Sequence, residues 1–126
     1  MQLGLIGAGR WGKRYISTIA KIPGIALAQV ASANPETHML VPRGCQVTPK
    51  WRDVTQNKSL DGVIIATPLA MHRQMAIAAI KSRIPVLIEK PMTLSIAGAQ
   101  EIARSSIEHR KLTMVGHTHL FSSGFR

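Results

Sequence analysis

The strongest constraint on the fold is the opening stretch Leu3-Gly4-Leu5-Ile6-Gly7-Ala8-Gly9-Arg10-Trp11-Gly12. A mostly apolar run, suited to a buried strand, leads directly into G-x-G-x-x-G at Gly7, Gly9 and Gly12. Apolar residues at helical spacing follow: Trp11, Tyr15, Ile16, Ile19 and Ile22. Gly7 lets the backbone turn sharply out of a strand. Gly9 leaves room for a pyrophosphate to approach the main chain, and Gly12 lets the new helix lie close to the strand. Unpaired N–H groups and the helix dipole then favour an anion at that helix start. The stretch predicts a strand, turn and helix built to hold a dinucleotide.

The remainder continues the alternation. Pro23-Gly24 stops the first helix, and Ile25 to Ala31 reads as a second buried strand. Glu36 to Leu40 and Trp51 to Asn57 suit short helical turns, and Cys45-Gln46-Val47 suits a brief edge strand. Asp61 to Ala66 is a β-branched strand that ends at Thr67-Pro68. Ala70 to Lys81 predicts a helix with Met71, Met75, Ala78 and Ala79 inward, and Pro85 to Ile88 the next strand. Ser95 is positioned to cap a last helix whose expected inner stripe is Ile96, Ala99, Ile102, Ala103 and Ile107. Leu112 to Gly116 completes the set. The fold class is α/β, a doubly wound parallel sheet of Rossmann type with about six strands. Ligands of such sheets bind at the carboxyl ends of the strands, and Gly7 to Gly12, Ser32, Thr67-Pro68, Glu89-Lys90-Pro91 and His117 all fall there.

Ser32, with Asn34 just beyond it, stands roughly twenty residues past the glycine turn, where an acid usually grips the adenosine ribose. An Asp or Glu would bond both ribose hydroxyls and repel a 2′-phosphate. Serine keeps a hydrogen-bonding group without that repulsion, which favours NADP over NAD, with Arg10 a partner for the phosphate. The same two residues equally suit the turn after a strand.

At 126 residues the chain is one domain, residues 1–126, and its hydrophobic share of 45% is ordinary for a globular protein. No apolar run approaches the length of a membrane span, and no basic leader precedes the first strand. The single cysteine, Cys45, forms no internal disulfide, so a cytoplasmic setting is expected. Sixteen Lys and Arg against six acids give a formal charge of +10, which favours an anionic partner. The basic residues are scattered and aromatic residues are few, so nucleic acid is disfavoured. No metal site is expected.

Three motifs together, G-A-G-R-W-G at Gly7 to Gly12, A-T-P-x-x-x-H at Ala66 to His72 and E-K-P at Glu89 to Pro91, resemble the Gfo/Idh/MocA oxidoreductases. These are sugar and inositol dehydrogenases built on a nicotinamide-binding domain. The resemblance implies that Gly7, Gly9, Arg10, Trp11 and Gly12 form the pyrophosphate loop. It implies that Ser32 and Asn34 lie where the cofactor is selected, and that Thr67, Pro68 and His72 lie beside the nicotinamide half. Glu89 and Lys90 would contact cofactor and substrate, Pro91 would shape their loop, and Lys90 would be the catalytic lysine. Family enzymes carry a second, substrate-covering domain. The chain is therefore expected to be the cofactor-binding half, to bind a nicotinamide dinucleotide, and to be inactive alone. A small polyol substrate would need the absent domain. Apolar surface left by that domain predicts self-association into a homo-oligomer. His117 and His119 lie toward the same side and receive no catalytic role. The rival readings are a non-catalytic dinucleotide-binding regulatory module and a basic nucleic-acid binder.

Overall fold

The apolar runs of the sequence become strands β1 (Gln2–Ile6), β2 (Ala26–Ala31), β3 (Gln46–Thr48), β4 (Gly62–Ile65), β5 (Val86–Glu89) and β6 (Thr113–Gly116) in the computed structural model. The structure describes residues 1–125. Between the strands lie helices α1 (Arg10–Ile19), α2 (Thr37–Leu40), α3 (Trp51–Thr55), α4 (His72–Lys81) and α5 (Ile96–His109). All strand pairs are parallel, in the order β3-β2-β1-β4-β5-β6. The chain winds outward from β1 to β3, returns to the far side of β1, and winds outward again. Crossovers in opposite directions put α1 on one face of the sheet and α4 and α5 on the other.

Side chains alternate across the pleat, so each strand feeds two cores. Leu5, Val30 and Ile64 pack with Ile16 and Ile19 of α1. Ile6, Ala31, Val63, Ile65, Val86 and Ile88 pack with Met75, Ala76, Ala79 and Ile80 of α4 and with Ile102 of α5. Every residue of β4 is buried, as a central parallel strand between helical layers requires. Each fully buried Ile or Val contributes about 1.5–3 kcal/mol relative to exposure.

The helix faces differ in part from the periodicity reading. Of the inner face expected for α4, Met75 and Ala79 are buried, but Ala78, and Met71 just before the helix, are only half-buried, and His72, Ala76 and Ile80 complete the face. A 3₁₀ turn at Leu69–Met71 rotates the start of α4 and brings His72 inward. The stripe of α5 is corrected more sharply. Ile96 and Ile107 are 80% and 77% exposed, Ala103 is exposed as well, and the buried residues are Gly98, Ile102 and Ser105. Both stripes have helical spacing, and packing against α4 selects the one with small residues at the contact. The expected cap is present, with Ser95 Oγ accepting from Gly98 N at 3.1 Å. Among the described residues no helix is long and apolar enough to cross a membrane.

Candidate functional site

The reversal of strand order falls between β1 and β4, and the glycine turn sits at that point. Gly7 leaves β1 with φ of 96°, and its amide donates to Ala31 O at 2.9 Å, tying the turn to β2. A Cβ on Gly12 would stand 2.0 Å from Gly7 O, so α1 crosses the turn at backbone contact. Around Gly9 an added Cβ would meet nothing within 4 Å. Helix α1 begins there with no side-chain cap and no acidic residue in its first turn. A positively polarised helix end thus faces open space, a combination that fits a diphosphate. Arg10 and Trp11 occupy the first turn, both exposed.

At the end of β2, Ser32 N donates to Thr48 O at 2.9 Å. Ser32 Oγ accepts from Asn34 N at 3.2 Å and from Thr37 Oγ1 at 2.8 Å, and Asn34 Oδ1 accepts from Glu36 N at 3.0 Å. Both residues therefore build the turn while standing at the carboxyl edge.

The loops after β4 and β5 form the other half of the crevice. Thr67 Oγ1 contacts Met75 Sδ at 3.5 Å, and Pro68 is exposed. His72, expected beside the nicotinamide half, is buried, only 2% exposed. Its Nε2 lies 2.9 Å from Thr67 O and its Nδ1 3.1 Å from Pro91 O, so both ring nitrogens are engaged by backbone. Glu89 is also turned inward, 8% exposed, and its Oε1 accepts from the Tyr15 hydroxyl at 2.5 Å. Burial first, then the Glu89 hydrogen bond and charge, push the Tyr15 phenol above its ordinary range. The sequence reading placed Tyr15 in the apolar stripe of α1 and missed this contact. Tyr15 is half-buried, its hydroxyl 3.5 Å from where a Cβ on Gly116 would stand.

Lys90 follows Glu89, joined to Pro91 by a cis peptide, and its side chain is exposed. Its Nζ stands 5.9 Å from the Trp11 ring centroid, and the Arg14 guanidinium carbon stands 4.7 Å from the same ring. The Lys90 amine and the phosphate turn thus share one edge of the sheet. A cavity of about 400 Å³ adjoins Lys90, lined by His117, Thr118, His119, Leu120 and Phe125. Another, of about 600 Å³, lies at the opposite, amino-terminal edge beside Gln2, Ala26 and Cys45. Burial pushes the Cys45 thiol up to about 11, which makes it a poor nucleophile.

Residues 1–117 match the family model for Gfo/Idh/MocA described as an oxidoreductase family, NAD-binding Rossmann fold. The chain is 29% identical, over 97% of its length and 40% of the relative's, to 4-carboxy-2-hydroxymuconate-6-semialdehyde dehydrogenase of Sphingobium sp.. It is 31% identical to inositol 2-dehydrogenase 4 of Saccharopolyspora erythraea, covering 96% of this chain and 37% of that one. Among solved structures, scyllo-inositol dehydrogenase from Lactobacillus casei with bound NAD(H) and scyllo-inositol superposes with a TM-score of 0.86. That pair shares 26% identity and covers 98% of this chain and 38% of the other. The chain thus spans about two fifths of the length of the relatives it matches.

Proposed function

The chain belongs to the Gfo/Idh/MocA oxidoreductases, as their NAD-binding Rossmann domain, and from this we propose that it serves a dehydrogenase acting on a sugar, cyclitol or related polyol. The observation that carries the reading is the Lys90 amine 5.9 Å from Trp11, on the same edge as the uncapped start of α1. The inositol dehydrogenases among the relatives support the substrate class.

A bound nicotinamide supplies the hydride-accepting or hydride-donating carbon. The amides at the start of α1 hold the diphosphate, and the space at Gly9 lets it approach. Lys90 donates a hydrogen bond to the reacting oxygen and stabilises the negative charge that develops on it as the carbinol C–H bond breaks. Glu89, fastened by Tyr15, fixes the strand end from which Lys90 projects. The polyol is enclosed by a second domain, so the isolated chain binds dinucleotide and turns over little or nothing. NADP is favoured over NAD because Ser32, rather than an acid, follows β2, with Arg10 available to a 2′-phosphate. A cytoplasmic setting suits a domain whose one cysteine is unpaired.

Calorimetric titration with NADH and NADPH tests the reading. Both are expected to bind, NADPH the tighter. No binding of either overturns the proposal, and tighter NADH overturns the cofactor preference alone.

A further inference from the structure

A dinucleotide lies across the reversal of strand order, with one nucleotide on each side. With the phosphate turn on β1 and the ribose position on β2, the second nucleotide falls over the carboxyl ends of β4 and β5. The walls there are two loops, Thr67-Pro68 and Lys90-Pro91. Buried His72 connects them, Nε2 at 2.9 Å from Thr67 O and Nδ1 at 3.1 Å from Pro91 O. Each ring nitrogen faces one of these carbonyls, and the rigid imidazole holds its two nitrogens at a fixed, divergent angle, so one side chain spans both loops. On the opposite face Tyr15 holds Glu89. Lys90 therefore stands between two residues anchored from opposite sides of the sheet, while its own side chain reaches the crevice.

We infer that His72 is a positioning residue: it braces the two loops of the nicotinamide half, sets the place of Lys90, and touches no ligand itself. The inference rests on the dinucleotide reading above. It differs from a general role in folding because the brace acts on one half of the ligand only.

The test compares NADH with ADP-ribose, which lacks the nicotinamide, by calorimetry on the chain with His72→Leu and His72→Gln. The leucine variant removes both arms of the brace, and the glutamine variant keeps a donor for one. For His72→Leu, NADH affinity is expected to fall about tenfold or more while ADP-ribose affinity stays within about twofold, with His72→Gln between. Equal weakening of both ligands, or of neither, overturns the inference. If the unmutated chain binds neither ligand, the dinucleotide reading falls and this inference with it. Should both variants fail to fold, NMR of the ¹⁵N-histidine-labelled unmutated chain decides. A solvent-protected ring N–H proton on His72 is expected, and a ring N–H that exchanges rapidly with water overturns the brace.

Discussion

Alanine at Gly12 and alanine at Gly9 should have opposite effects, although both sit in the same turn. A Cβ on Gly12 would meet Gly7 O at 2.0 Å and Gly7 C at 2.8 Å. Ordinary contact begins at 3.4 Å, and backbone lies on both sides, so α1 would have to retreat by about 1.4 Å. The retreat loosens Ile16 and Ile19 against the sheet. Overpacking of this kind costs about 3 kcal/mol, and exchanging glycine for alanine in a helix returns about 1. The net loss is about 2 kcal/mol, or roughly 8 °C in Tm for a chain of this length. Gly9 has φ of −74°, which alanine accepts, and nothing within 4 Å of the new methyl. Gly9→Ala should therefore keep its stability within about 1 kcal/mol. The methyl instead fills the lane to the helix end, and NADPH affinity should fall about tenfold or more. Urea denaturation reads the first variant and calorimetry the second. Gly12→Ala with unmutated stability would show that the helix does not rest on the turn. Gly9→Ala with unmutated affinity would show that no phosphate passes there.

Other substitutions test the surrounding contacts. Tyr15→Phe leaves the buried Glu89 carboxylate without its donor and should cost about 1–3 kcal/mol at pH 7, read from urea midpoints. The fold holds the Tyr15 proton more tightly than the unfolded chain does. Stability from this source is intact below about pH 10 and lost as pH rises above it, a slope that Tyr15→Phe should lack. Cys45 behaves alike at lower pH: its thiol moves from 9.0 to about 11, so stability should decline as pH rises from 9 towards 11, and Cys45→Ala should flatten that decline. Ser32→Asp keeps an acceptor for Asn34 N and Thr37 Oγ1 but adds a charge at the proposed ribose position. Calorimetry should show NADPH affinity falling about tenfold or more while NADH affinity is retained or improved.

What the sequence disclosed and what it withheld divide along physical lines. Val63-Ile64-Ile65 could be read as a buried strand because β-branched side chains in a short apolar run suit little else. The glycine turn and the Ser95 cap were legible because each depends on residues within a few positions. The burial of α5 was not, because periodicity sets the angle between residues and leaves open which face turns inward. Ile96 and Ile107 satisfied the period and ended outside. The Tyr15–Glu89 contact joins residues 74 apart, and no local pattern announces it. The burial of His72 had no local signature either, since the 3₁₀ turn before α4 precedes it and its ring partners lie in two separate loops.

Trp11 stands 38% exposed in the wall of the crevice, with the Arg14 guanidinium and the Lys90 amine both near its ring. Its indole emission overlaps the absorption of a reduced nicotinamide, and cations close to the ring shift the colour of that emission. The only other tryptophan is Trp51, so Trp51→Phe leaves a single indole. The domain thus carries its own optical probe beside the amine, and quenching by energy transfer would time the arrival of the reduced dinucleotide without any added label.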